Sequence, residues 1–203
     1  MTNKKRKDLL IWIDLETTGL DCDNQMKGVQ THKILEIGMH ITDSNFNIID
    51  NGLEIIVHHD QKELEGLMAP IVKEMHEKNG LLEKVKKSSV SLKEAEKMML
   101  EYVNSFNIEE KSSPICGNNV GFDKNFIDAQ MPEFSKFLHY RKIDVSSFKE
   151  FAFRQFPEVK DLIIKKGSHR ALGDIVESIE ELKKYQELIF IQKPETNNKP
   201  KLK

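Results

Sequence analysis

The chain has 203 residues, 38% of them hydrophobic and 32% charged, with a formal net charge of −2. That composition supplies one sizeable core and contains no apolar run near the roughly 18 residues a membrane-spanning helix requires. Basic residues gather at the two ends (Lys4, Lys5, Arg6 and Lys7; Lys193, Lys199, Lys201 and Lys203), so the body between them is too acidic to grip long nucleic acid by phosphate contacts alone.

Residues 1–8 are expected to form a basic tail, without the apolar region or cleavage site of a secretory signal. Residues 9–15 (LLIWIDL) read as a buried strand. KILEIGMHI, residues 33–41, and FNIIDNGLEIIVH, residues 46–58, follow as a hairpin and its continuation. Residues 61–79 read as helical with an interruption at Pro70, and Asn79-Gly80-Leu81 ends that segment. Residues 91–106 carry helical spacing behind a capping box of Ser91 and Glu94, with Met98 and Met99 as core filler. A strand over 114–118 and a helix over 120–131 come next, then a strand over 140–145 and a helix over 146–156. A last helix over 171–189 has Ile175, Ile179, Leu182 and Tyr185 on one face. Residues 192–203, rich in Lys, Pro and Asn, are expected to be a disordered tail. Strands that come first as an antiparallel group and later alternate with helices predict an α/β domain over residues 9–191, a mixed sheet with helices on its faces. Cys22 and Cys116 lie far apart without a CxxC pattern, which suits plain thiols in a reducing, cytoplasmic setting.

Side chains alternate along a strand, so Asp14 and Glu16 in DLETTG share a face, roughly 6.5–7 Å apart. They stand near the strand's C-terminal end, where open α/β sheets commonly place ligands. Two like charges there suit either a hard divalent cation such as Mg²⁺ or Mn²⁺, or a partly exposed strand end. Asp123 and Asp174 each fall at a predicted helix start, where acids also complement the helix dipole. His169 precedes Asp174 by five residues. One continuous helix would turn the two well apart, whereas a helix beginning after His169 leaves it on a loop, placed to accept a proton from water.

Taken in order, DLETTG, CGNNVGFDKNF and HRALGDI resemble the three exonuclease motifs of the DEDD superfamily, in the subclass with a histidine in the third motif. WIDLETTGLD, MHEKNGLLEKVKKSSV, SPICGN, YRKIDVSSFKEF and HRALGDIVESIEEL narrow the resemblance to the oligoribonucleases over roughly residues 9–190. The resemblance implies a ribonuclease-H-like three-layer fold around a five-stranded mixed sheet, a homodimer, and 3′-to-5′ release of 5′-nucleotides from dinucleotides and other very short single-stranded RNA. It implies that Asp14, Glu16, Asp123 and Asp174 hold two divalent cations, with His169 as general base. It also implies that Leu20 wedges between the last two bases. Asn119, Tyr140, Arg141 and Ser146 would bind the substrate's 5′ phosphate, partly across the dimer.

The sequence departs from the family pattern at four places. Thr17 stands where Met is usual, Asn119 where Ser is usual, Ile71 where a Trp is usual, and Gly173 replaces the acid before Asp174. These changes bear on rate and length preference. A DNA-active exonuclease and an inactive nucleic-acid- or protein-binding module of the same fold are the competing expectations. His58, His59 and Asp60 lack the second ligand pair of a zinc site. No phosphate-loop, dinucleotide or GxSxG motif is present.

Overall fold

The computed structural model describes residues 4–20, 28–162 and 170–189. In chain order the elements are β1 (Leu10–Thr17), α1 (Gly28–Thr31), β2 (Ile34–Thr42), β3 (Leu53–Ile56), α2 (Gln61–Leu64), α3 (Pro70–Lys78), α4 (Leu81–Lys87) and α5 (Leu92–Ser105). They continue with β4 (Ile115–Gly117), α6 (Gly121–Gln130), α7 (Pro132–Phe137), β5 (Lys142–Asp144), α8 (Val145–Gln155), a 3₁₀ turn over Pro157–Leu162, and α9 (Ala171–Ile189). The strands form one five-stranded sheet in the order β3-β2-β1-β4-β5. β1, β2 and β3 pair antiparallel, while β4 and β5 run parallel to β1. This is the mixed, helix-flanked ribonuclease-H-like sheet expected from the sequence.

β1 is central, and its alternation divides the core. Ile11, Ile13 and Leu15 pack with Ala95, Met99, Phe126, Ile127 and Phe134 from α5, α6 and α7. Trp12 packs on the other face with Val145, Ala152, Ile175, Ile179, Leu182 and Tyr185 from α8 and α9. Asp14 and Glu16 continue that second face, so the two carboxylates extend a row whose earlier member is a buried indole. β2 is buried along its length, and the residues on the same face as Glu36 are matched to β1: Glu36 opposite Glu16, Gly38 opposite Asp14, His40 opposite Trp12.

Several local expectations need correction. The strand foreseen over 46–58 is reduced to Leu53–Ile56, preceded by an isolated bridge between Thr42 and Ile48. The Asp50 carboxylate accepts hydrogen bonds from Ile41 N, at 2.7 Å, and Tyr102 Oη, at 2.6 Å, and pairs with His40 Nδ1 at 2.7 Å. A side chain thus takes a donor that ladder pairing would have used, and Gly52 turns the chain with φ +81°. Asn79-Gly80 ends α3 as foreseen, but Gly80 then caps a further helix, α4, whose Leu81 and Val85 are buried against Leu35. Met99 is buried, whereas Met98 is 36% exposed and is not core filler. Of the expected basic tail, residues 4–8 include Arg6, whose backbone is bonded to Asn107 O and Glu109 N. Cys116 is a buried free thiol, and Cys22 lies outside the described residues. No helix among the described residues is long and apolar enough to cross a membrane.

The functional end of the sheet depends on how closely α9 approaches it. A Cβ on Gly38 would lie 2.8 Å from the carbonyl carbon and Cβ of Ala171, at the first residue of α9. The absent side chain is what lets this helix start lie on β2 beside Asp14. Gly38→Ala is therefore expected to displace α9 and destabilise the fold by about 1–3 kcal/mol. The urea midpoint of unfolding checks this, and a midpoint equal to wild type would refute it.

Candidate active site

Asp14, Glu16 and Asp174 each present an oxygen within 4.8 Å of the others. The first two come from adjacent same-face positions at the end of β1. The third comes from the first turn of α9, lowered onto the sheet over Gly38. Asp123, in the first turn of α6, is buried, and its Oδ1 accepts from Leu15 N at 2.9 Å, so it joins β1 from the edge. The four acids foreseen from scattered motifs therefore gather at one end of β1. α9 begins at Ala171, after residue 169, as the loop alternative required, but His169 itself lies outside the described residues.

The acids are costly to keep ionised together. Burial pushes the Asp14 carboxyl well above its ordinary range, helped by the charges of Asp123, Glu16, Asp174 and Glu36. Burial likewise raises Glu16 from 4.5 to about 8; Glu36, Asp174 and Asp123 add to the rise and Arg170 opposes it. All the donors are carboxylate oxygens, the set preferred by hard divalent cations such as Mg²⁺ and Mn²⁺, and a cation removes the repulsion that protons otherwise relieve.

The turn after β1 is held from below. Thr17 Oγ1 donates to Gly19 O at 2.6 Å, so the threonine that departs from the family pattern tightens this turn. Thr18 N donates to Lys33 O, and Lys33 N donates to Thr18 Oγ1, both at 3.0 Å. A Cβ on Gly19 would lie 2.2 Å from the His32 ring, so a larger residue there would have to displace that ring from Thr18. Leu20, just beyond, is 67% exposed.

Sequence reasoning did not single out His76. It is fully buried in α3, with Nε2 2.9 Å from Thr17 O and Nδ1 3.9 Å from Glu16 Oε2. Its only sequence signal is its place in the MHEKNGL stretch that carried part of the resemblance. Ile71, on the same helix, is exposed.

The four expected phosphate-binding residues fall into two groups. Asn119 N, Ser146 N and Ser146 Oγ all donate to Asp144 Oδ1, at 2.9, 3.0 and 2.6 Å, which ties the loop after β4 to the start of α8. Asn119 has φ 57°, a left-handed conformation that Asn adopts more readily than Ser, which gives its presence here a backbone reason. Tyr140 and Arg141 are both exposed, with the guanidinium carbon 5.3 Å from the ring centroid. They precede β5, and the register Lys142–Ile115–Ile11 puts Arg141 level with Leu10, roughly 20 Å along the sheet from Glu16. Within one chain Arg141 therefore stands well away from the acids.

An exonuclease family model, RNase_T, matches residues 11–182. An oligoribonuclease of Mycobacterium bovis is 42% identical over 189 residues, covering 93% of this chain and 84% of that protein. An oligoribonuclease of Corynebacterium glutamicum is 42% identical over 190 residues, covering 93% and 83%. Among solved structures, the Mg²⁺- and Mn²⁺-bound form of S. pombe Pop2p superposes with a TM-score of 0.69 at 13% identity, covering 89% of this chain and 84% of that one. The metal-free form of an E. coli ExoI–ssDNA complex gives 0.62 at 14% identity, covering 90% and 40%. At such identities these structures speak for the fold alone.

The Glu16 shift fixes the sign of a pH effect. Between about pH 4.5 and about 8 the folded chain holds a proton that the unfolded chain has lost. This contribution to stability is complete below that window and lost as pH rises through it. In EDTA the melting temperature should therefore fall as pH is raised across the window, and saturating Mg²⁺ should flatten the decline by displacing the proton. A decline of equal size in Mg²⁺ would mean that cations do not bind these carboxylates.

Proposed function

Because the chain belongs to the exonuclease family and, within it, to the oligoribonucleases, we propose that its acidic cluster is the centre at which very short RNA, dinucleotides above all, is cut to 5′-mononucleotides. The protein is a phosphodiester hydrolase, a 3′-to-5′ exoribonuclease acting on short oligoribonucleotides. The observation that carries the site assignment is the convergence of Asp14, Glu16 and Asp174 within 4.8 Å at the C-terminal end of β1.

In this reading Asp14, Glu16, Asp123 and Asp174 would hold two divalent cations, Mg²⁺ or Mn²⁺. Such ions, when bound, acidify water, hold the scissile phosphate and neutralise charge on the departing oxygen. His169 takes the proton of the attacking water, whose oxygen bonds to phosphorus as the bond to the 3′ oxygen breaks. That oxygen takes up a proton from solvent as it leaves, and no covalent enzyme intermediate forms. Leu20 supplies an exposed apolar blade beside the terminal bases.

The 5′ phosphate belongs with Tyr140, Arg141, Ser146 and Asn119. Arg141 can give paired hydrogen bonds to a phosphate, and its distance from Glu16 along the same sheet favours delivery to the site of a second copy. The working form in this reading is a homodimer in the cytoplasm. A closed end-cap of this kind explains how an acidic body handles RNA: it grips an end rather than a length of backbone.

Hydrolysis of 5′-phosphorylated RNAs of two, five and ten nucleotides, followed in Mg²⁺, Mn²⁺ or EDTA, tests the reading. The dinucleotide should be converted fastest and only with metal, with His169→Ala and Asp174→Asn each lowering kcat at least roughly 100-fold while remaining folded. Equal rates at all lengths would discard the end-cap. No cleavage of any length would discard the enzyme reading. Mixing Arg141→Ala with Asp14→Asn subunits should restore about one quarter of wild-type activity, because half the dimers are mixed and each has one complete site. No restoration in demonstrably mixed dimers would place Arg141 outside a shared site.

A further inference from the structure

Arg170 is the residue immediately before α9, and its side chain reaches back to β2 and β3. Nε lies 3.1 Å from both oxygens of Glu36, and Nη2 lies 2.8 Å from Glu36 Oε1. Nη2 also lies 2.6 Å from Glu54 Oε1. Glu36 is fully buried and stands opposite Glu16 in the β1–β2 ladder, yet it is not one of the acids whose oxygens converge. A further buried carboxylate beside that cluster adds repulsion to the site and contributes no oxygen to it. Its one evident use is to draw the guanidinium down onto the sheet.

The backbone carries that anchorage to the site. Asp174 N donates to Arg170 O at 3.0 Å, closing the first turn of α9, and Ala171 is seated over Gly38. We infer that Arg170 and Glu36 are positioning residues, whose fork fixes the start of α9 against β2 and so holds the Asp174 carboxylate opposite Asp14 and Glu16 before any cation arrives. This inference rests on the exonuclease reading of the acidic cluster. Lysine cannot replace the arginine, because an ammonium group is a single point of charge and lacks the planar fork that meets two oxygens. Glu54 steadies the outer guanidinium nitrogen from β3, so three segments of the chain meet at one side chain.

The test compares wild type with Arg170→Lys, Arg170→Gln, Glu36→Gln and the Glu36→Gln/Arg170→Gln double variant. Free Mn²⁺ is titrated by electron paramagnetic resonance, kcat and KM are measured on a dinucleotide, and melting is followed by circular dichroism. Each folded single variant should bind Mn²⁺ roughly tenfold or more weakly and lose kcat, with KM nearly unchanged. The double variant should lose less than the two single losses combined, because both charges leave together. Mn²⁺ affinity equal to wild type in folded variants overturns the inference. So does a raised KM with unchanged Mn²⁺ affinity, which would make Arg170 a substrate ligand. If the Arg170 variants unfold, Glu36→Gln decides alone, since it keeps the side chain's shape and one accepting oxygen while removing the charge and half of the fork. A wild type that binds Mn²⁺ but cleaves no RNA overturns the exonuclease reading, and the affinity comparison still judges the positioning role. A wild type that binds no Mn²⁺ overturns both.

Discussion

Repulsion among carboxylates crowded onto one face of a sheet is the constraint on which the rest of this structure turns. Two unit charges 4.8 Å apart repel by about 3 kcal/mol at an effective dielectric constant of about 20. Three such pairs approach the whole stability of an ordinary domain, about 5–15 kcal/mol. The fold must therefore hold Asp14, Glu16 and Asp174 in place by means that do not depend on their attraction to one another. A central strand buried on both sides fixes the first two. A long helix, with its buried face on Trp12 and its first turn resting on a glycine, fixes the third. Protons or cations then relieve what the scaffold enforces.

The parts of this arrangement that follow from local pattern were legible in the sequence. β1, β2, the helix over 171–189 and the capping box at Ser91 each announce themselves within a short window, through alternation, helical spacing or a side chain that caps its own helix. The four acids were legible because each sits at a strand end or a helix start. What escaped depends on groups distant in sequence. Glu36 and Arg170 are 134 positions apart, and neither carries a local signal for the other. His76 reads as an ordinary helical residue until the fold places it under Thr17. The shortened β3 escaped for a related reason: its apolar residues suggest a longer strand, but the Asp50 side chain claims the donor that would have continued the pairing.

The same contrast runs through the residues that depart from the family pattern. Thr17 and Asn119 have local accounts: a hydroxyl that closes the turn after β1, and a left-handed backbone that asparagine tolerates. Ile71 has a different character. It projects 77% exposed from the helix whose His76 is buried under the strand end, so α3 is anchored on one side and offers an apolar surface on the other.

Asp144 carries a consequence for how this protein can change over generations. One carboxylate oxygen receives the Asn119 amide, the Ser146 amide and the Ser146 hydroxyl, so the loop after β4 and the start of α8 share a single fastening on a residue 25 positions beyond Asn119. A substitution that shifts either segment alters what Asp144 can offer the other. Two of the three donors are backbone amides, so the fastening tolerates most side-chain changes at 119 and depends chiefly on Asp144 itself. Asp144, rather than either of its partners, is then the position whose loss would release both segments at once.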